Sequence, residues 1–236
     1  MSSLLLPVVA VQAMWKRHRK VPIPSATGPT SGMTPGGEKA LRIAVVGDSL
    51  AAGYGVETHD QGFGGSLARD LNGLTGHTVA WHAVGQYGST IRRVRHRLLP
   101  RLTGSYHIVV VVAGANDVLG GRQPQEWADD LTAVVSALSR DTTHVMVAGI
   151  PPFAELPCMP RILGRHLAKQ AEALDRAAQR VCAGFDAVTW VDGQVLLPYR
   201  PEYFSPDGFH PSAAGYRRWS AAVAAEIPVP SVTGPR

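Results

Sequence analysis

Cysteine is almost absent from this chain: Cys158 and Cys182 are 2 among 236 residues. They flank a helix-like run at 160–181, which would hold them roughly 30 Å apart, whereas a disulfide needs Cα atoms about 6 Å apart. Both are therefore expected as thiols, and a small disulfide-stapled scaffold is excluded. No Cys-x-x-Cys or His-Glu-x-x-His occurs, and His59, His77, His82, His96, His107, His144 and His166 are scattered without metal-ligand spacing, so neither metal nor cofactor is expected. The glycine-rich stretch Gly62-Phe63-Gly64-Gly65 lacks the Lys-Ser/Thr of a phosphate loop. Charge is sparse too: 17% of residues are charged and 45% hydrophobic, a globular balance that excludes disorder in a chain long enough for one domain with a sizeable core.

The formal net charge of +5 suggests a nucleic-acid partner until it is located. Lys16, Arg17, Arg19 and Lys20 carry most of it, and no nucleic-acid module is visible, so no nucleic-acid partner is expected. Arg92, Arg93, Arg95 and Arg97 share one helix-like segment and read as a solvated basic face, with an anionic partner as the alternative. Long hydrophobic runs are missing as well. The apolar stretch at 4–15 is interrupted by Pro7 and Gln12, and as a helix it spans about 18 Å, short of the roughly 30 Å of a bilayer core. Its basic cluster follows the apolar run, opposite to a secretory leader. The favoured reading is a peripheral membrane contact through residues 4–20 of a cytoplasmic protein; secretion is the alternative, since Val11-Gln12-Ala13 can pass as a cleavage site. A monomer is expected.

Residues 22–38 are dense in Pro, Gly, Ser and Thr, a linker composition. With the N-terminal run they form a segment 1–38, ahead of a domain over 39–227 and a tail at 228–236. Within the domain, strand-like runs at 41–46, 78–84, 106–113, 144–150 and 187–191 alternate with helix-like runs at 63–74, 90–99, 127–138, 160–181 and 211–227. Strands apolar on both faces and separated by helices predict a parallel sheet covered on both sides. The expected fold is therefore α/β: a three-layer α/β/α sandwich on a five-stranded parallel sheet, flavodoxin-like. In such sheets the site lies beyond the carboxyl ends of the strands.

Four short pieces fall there. Gly47-Asp48-Ser49-Leu50 follows the first strand and offers Ser49 as a nucleophile at a strand-to-helix turn. A serine hydroxyl needs a base to remove its proton. His210, in Asp207-Gly208-Phe209-His210, is the candidate, and Asp207 can orient it by accepting a bond from one ring nitrogen. An oxyanion hole is expected from the backbone N–H of Ser49, that of Gly88 in Gly85-Gln86-Tyr87-Gly88-Ser89, and the side-chain amide of Asn116 in Gly114-Ala115-Asn116-Asp117. Asp48 and Asp117 read as structural carboxylates bonding loop backbone. Each piece alone has a plain explanation as a turn or a helix cap; the order Ser…Asp…His and the shared sheet edge make them one machine.

These residues resemble the SGNH (GDSL) hydrolase family over roughly 41–222. Ser49 falls in the nucleophile's block, Gly88 and Asn116 in the second and third, and Asp207 with His210 in the last. One position departs: where the second block often carries asparagine, this chain has Ala83. The resemblance implies hydrolysis of small-molecule or lipid esters or thioesters through an acyl-serine intermediate, with no metal or cofactor. Short loops point to a shallow site favouring short acyl chains, with Tyr54, Tyr87, Leu119 and Phe153 as lining residues. The alternatives are an acyltransferase on the same triad and a non-catalytic membrane-associated binding protein.

Overall fold

The computed structural model describes residues 21–196 and 200–228; the apolar–basic run at 4–20 and nearly all of the tail lie outside them. The elements in chain order are β1 (Ser31–Thr34), β2 (Gly37–Gly47), α1 (Phe63–Thr75), β3 (His77–Gly85), α2 (Ile91–Arg93), β4 (Tyr106–Val112), α3 (Ala115–Leu119), α4 (Pro124–Leu138), β5 (Thr142–Ala148), α5 (Arg161–Cys182), β6 (Val188–Val191) and α6 (Ala213–Ala225). The sheet order is β1-β3-β2-β4-β5-β6. β2 to β6 pair parallel with one another, and their order is that of a flavodoxin-like sheet.

The five expected strands and their intervening helices are present, with two differences. The sheet has a sixth strand: β1 pairs antiparallel with β3, inside the segment whose composition reads as linker. This edge strand is almost wholly exposed, so it lacks the apolar alternation by which a strand is recognised. The helix-like run at 90–99 is also irregular. After α2 the chain widens into a π turn, Val94–Leu98, and then tightens into a 3₁₀ turn, Leu99–Arg101, around Pro100. Arg92, Arg93, Arg95 and Arg97 are all exposed there, while Val94 and Leu98 are buried.

Period-two alternation divides the core between the two faces of the sheet. Ala44, Val46, Val109, Val111, Val145 and Val147 pack on one side with Trp127 and Leu131 of α4 and Leu163 and Leu174 of α5. Ile43, Val45, Ile108, Val110 and Met146 pack on the other with Phe63, Leu67 and Leu71 of α1 and Tyr216 and Trp219 of α6. Each such fully buried aliphatic or aromatic side chain contributes about 1.5–3 kcal/mol. Two-sided burial therefore fixes both the register and the carboxyl edge where the polar residues gather. Among the described residues, no helix is long and apolar enough to cross a membrane.

Candidate active site

Ser49 lies two residues beyond the end of β2. The Asp48 N–H still donates to the Val112 carbonyl of β4 (3.0 Å), after which the chain folds back on itself. Ala52 N–H bonds Asp48 O (3.0 Å) and Tyr54 N–H bonds Ser49 O (3.0 Å). α1 begins only at Phe63, so Ser49 heads a series of turns rather than a helix N-terminus. Its backbone N–H has no backbone acceptor among the described residues. The Asp48 side chain is buried beneath this turn and accepts the Leu50 N–H (3.0 Å). Burial pushes its pKa up to about 7, against the opposing pull of that bond and of His210.

His210 arrives from the other end of the chain on a tight loop closed by the Ser205 N–H to His210 O bond (2.8 Å). Asp207 braces the loop from within. Its Oδ1 accepts the N–H groups of Phe209 and His210, each at 3.0 Å, and its Oδ2 accepts from His210 Nδ1 at 2.6 Å. Burial opposes ionisation of Asp207, but the bonds from His210 and the two backbone N–H groups outweigh it and hold its pKa below the ordinary value. With Nδ1 committed to Asp207, His210 Nε2 faces Ser49 Oγ at 2.9 Å. Ser49 and His210 are each 5% exposed.

The Gly88 loop is tied down on three sides. Gln86 N–H bonds the Gly47 carbonyl (3.1 Å). Asn116 Nδ2 donates to Ser89 O (3.0 Å) and lies 3.4 Å from Asp48 Oδ2. Asp117 Oδ2 accepts the Ile91 N–H (3.0 Å). Burial raises Asp117 to about 6 although Arg122 lies beside it, 3.4 Å away. Arg122 also bonds Asp130, which Arg95 meets from outside at 2.9 Å. Asn116 and Asp117, neighbours at the start of α3, thus both hold the segment carrying Gly88. The Gly88 N–H, like that of Ser49, has no backbone acceptor among the described residues. The arrangement can activate a serine hydroxyl and can offer two backbone donors and one amide donor to a developing oxyanion.

Residues 45–218 match the GDSL-like lipase/acylhydrolase family. The chain belongs to that family. A GDSL-like esterase of Mycobacterium tuberculosis is 28% identical over 184 residues, which are 75% of this chain and 58% of that protein, so the chain spans little more than half of that relative's length. Among solved structures, TesA superposes with a TM-score of 0.62 at 23% identity, covering 81% of this chain and 97% of its own. AlinE4, an SGNH-hydrolase family esterase, gives 0.59 at 25%, covering 80% and 98%. An acetylxylan esterase from Geobacillus stearothermophilus gives 0.58 at 16%, covering 80% and 94%.

In this member of the family an apolar cavity of about 50 Å³ opens beside Ser49 and Asn116. Its walls include Val112, Ala148, Gly149, Leu156, Phe204 and Phe209. None of the four expected lining residues is a wall of this cavity. Tyr54 and Tyr87 stand next to His210, with ring centroids 5.8 and 6.1 Å from its ring. Phe153 does not line the cavity: it is fully buried behind Phe209, centroids 6.2 Å apart. Leu119, 53% exposed at the end of α3, does not line it either.

Two positioning residues escaped the sequence reading. Ser205 Oγ donates to Gly55 O (3.0 Å), joining the His210 loop to the Ser49 loop. Gly55, at φ +99, permits this approach, since a Cβ there would run into the Pro211 carbonyl. Tyr216 OH donates to Tyr54 O (2.7 Å) from beneath. Neither residue lies in a recognisable motif, and only the convergence of the loops reveals them. Among the described residues, no group of three or more His, Cys, Asp or Glu side chains is placed to hold a metal ion.

Proposed function

We propose that this protein hydrolyses carboxylic esters of short acyl chains through an acyl-Ser49 intermediate. The observation that carries this reading is the continuous hydrogen-bonded chain Ser49 Oγ, His210 Nε2, His210 Nδ1, Asp207 Oδ2. His210 takes the Ser49 proton as Oγ attacks the carbonyl carbon. Asp207, kept ionised, holds the ring in the required tautomer and stabilises the imidazolium. The tetrahedral oxyanion is received by the Ser49 and Gly88 N–H groups and by Asn116 Nδ2, which turns from Asp48 toward the substrate oxygen. His210 then gives its proton to the departing alcohol oxygen, leaving the acyl ester on Ser49. In the second half-reaction His210 deprotonates a water, which attacks the ester; the proton returns to Ser49 as the acid leaves.

Short acyl selectivity is supported by the cavity beside Ser49. Its volume of about 50 Å³ corresponds to roughly three or four water positions, and Phe204 and Phe209 stand among its walls. The test is the series p-nitrophenyl acetate, butyrate, octanoate. The expected order of kcat/KM is acetate at or above butyrate, well above octanoate; a maximum at octanoate would overturn the acyl assignment. For residues 4–20 we propose the peripheral membrane contact that their composition suggests.

A further inference from the structure

The site has two sides of different character. On one, the apolar cavity is enclosed by strand ends and the Phe204 to Pro211 loop. On the other, outside the cavity, Tyr54 and Tyr87 form an open aromatic corner with ring centroids 4.8 Å apart, both within about 6 Å of the His210 ring. Tyr87 is 57% exposed. An exposed tyrosine by itself is ordinary surface, but this pair is held in place. Tyr54 N–H bonds the carbonyl of Ser49 itself (3.0 Å), and its own carbonyl is held by Tyr216 OH. On either side of Tyr87, Gln86 N–H bonds Gly47 O (3.1 Å) and Ser89 N–H bonds Gln86 O (3.2 Å). Two rings carried on tied-down backbone next to the general acid, one of them largely exposed, are placed to receive a ring.

The chemistry says which half of the ester reaches them. The proton on His210 Nε2 goes to the departing alcohol oxygen, so that oxygen must lie within hydrogen-bond reach of Nε2, and the rest of the alcohol must extend past His210. We infer that Tyr54 and Tyr87 form a leaving-alcohol subsite that selects esters whose alcohol carries a flat apolar face, an aryl ring or the face of a pyranose. This rests on the reading of Ser49 and His210 as nucleophile and acid–base. The substrate class it defines has a small acyl group and a ring-bearing alcohol.

The test compares ethyl acetate, n-hexyl acetate, benzyl acetate and a monoacetylated methyl xylopyranoside, with wild type, Tyr87→Ala and Tyr87→Phe. Benzyl acetate or the acetyl xyloside should exceed n-hexyl acetate in kcat/KM by about fivefold or more, and whichever does so names the ring. Tyr87→Ala should lower the ratio of that ester to ethyl acetate by about the same factor, and Tyr87→Phe should keep it. Preference for hexyl acetate over both ring esters would overturn the subsite, as would equal losses on every ester in Tyr87→Ala. Turnover of none of these esters by wild type, with no labelling of Ser49 by a fluorophosphonate, would overturn the hydrolase reading itself.

Discussion

His210 Nε2 lies 2.9 Å from Ser49 Oγ although 161 residues separate them in the chain. That distance is set by two loops pressed together at the carboxyl edge of the sheet, where Ser205 Oγ bonds Gly55 O. Asp207 fixes the ring from behind with three accepted hydrogen bonds.

Replacing Asp207 by Asn keeps the loop's size but presents an amide where the Nδ1–H requires an acceptor. The expected result is a fall in kcat of about 10⁴ with little change in KM, as in comparable triads. Steady-state kinetics on p-nitrophenyl acetate checks it; a loss under tenfold would show that His210 does not depend on Asp207.

Asn116 acts at two points, on the Ser89 carbonyl and, in the proposed reaction, on the oxyanion. Asn116→Ala should lower kcat by about 10²–10³ while the protein remains folded by circular dichroism. A change confined to KM would contradict the oxyanion role.

Gly88 is held at φ +71, yet a Cβ there would meet no atom within 4 Å. The cost of Gly88→Ala is therefore backbone strain alone, of order 1 kcal/mol, a drop in Tm of a few degrees. Activity should fall much further than stability, because relaxation of φ turns the N–H away from the oxyanion. Parallel melting and kinetic measurements separate the two effects, and unchanged kcat would remove Gly88 from the site.

Asp175 of α5 accepts the Ile150 N–H (3.0 Å), and burial raises its pKa to about 7. The folded chain thus keeps a proton there that the unfolded chain releases near pH 4, so this group lowers stability progressively as pH rises from about 4 to about 7. Asp175→Asn retains an acceptor and removes the titration. The fall in Tm between pH 5 and pH 8 should be smaller in the variant than in wild type; identical falls would refute the assignment.

The fold sets the bounds of a deletion that tests residues 4–20. Because β1 lies at 31–34 and the Ala26 and Thr27 N–H groups bond the Gly53 and Glu57 carbonyls, removal of 1–38 would strip an edge strand. Deletion of 1–20 is the cleaner experiment. It should abolish partitioning onto anionic vesicles and leave soluble-ester turnover intact, and persistent partitioning would end the membrane proposal.

Much of this was legible in the sequence for a physical reason. Strands buried on both faces, such as Tyr106–Val112, announce themselves as continuous apolar runs, and turn residues at their ends announce the site. Ser49, Gly88, Asn116, Asp207 and His210 were all visible in that way. β1 was not, because an exposed edge strand needs no apolar pattern. Tyr54, Tyr87, Leu119 and Phe153 lie outside the cavity walls, because a side chain in a loop or at a helix end carries no mark of whether it meets solvent, core or cavity. Ser205 and Tyr216 were invisible because their roles exist only once two distant loops touch.

The most direct test of the central claim is hydrolysis of p-nitrophenyl acetate by wild type and Ser49→Ala, with intact-mass analysis of the quenched wild-type reaction. Turnover by wild type, an acetyl adduct on Ser49 and no activity in Ser49→Ala are the expected results. Equal turnover in Ser49→Ala, or turnover without an adduct on Ser49 when deacylation is slowed, would contradict the acyl-serine account.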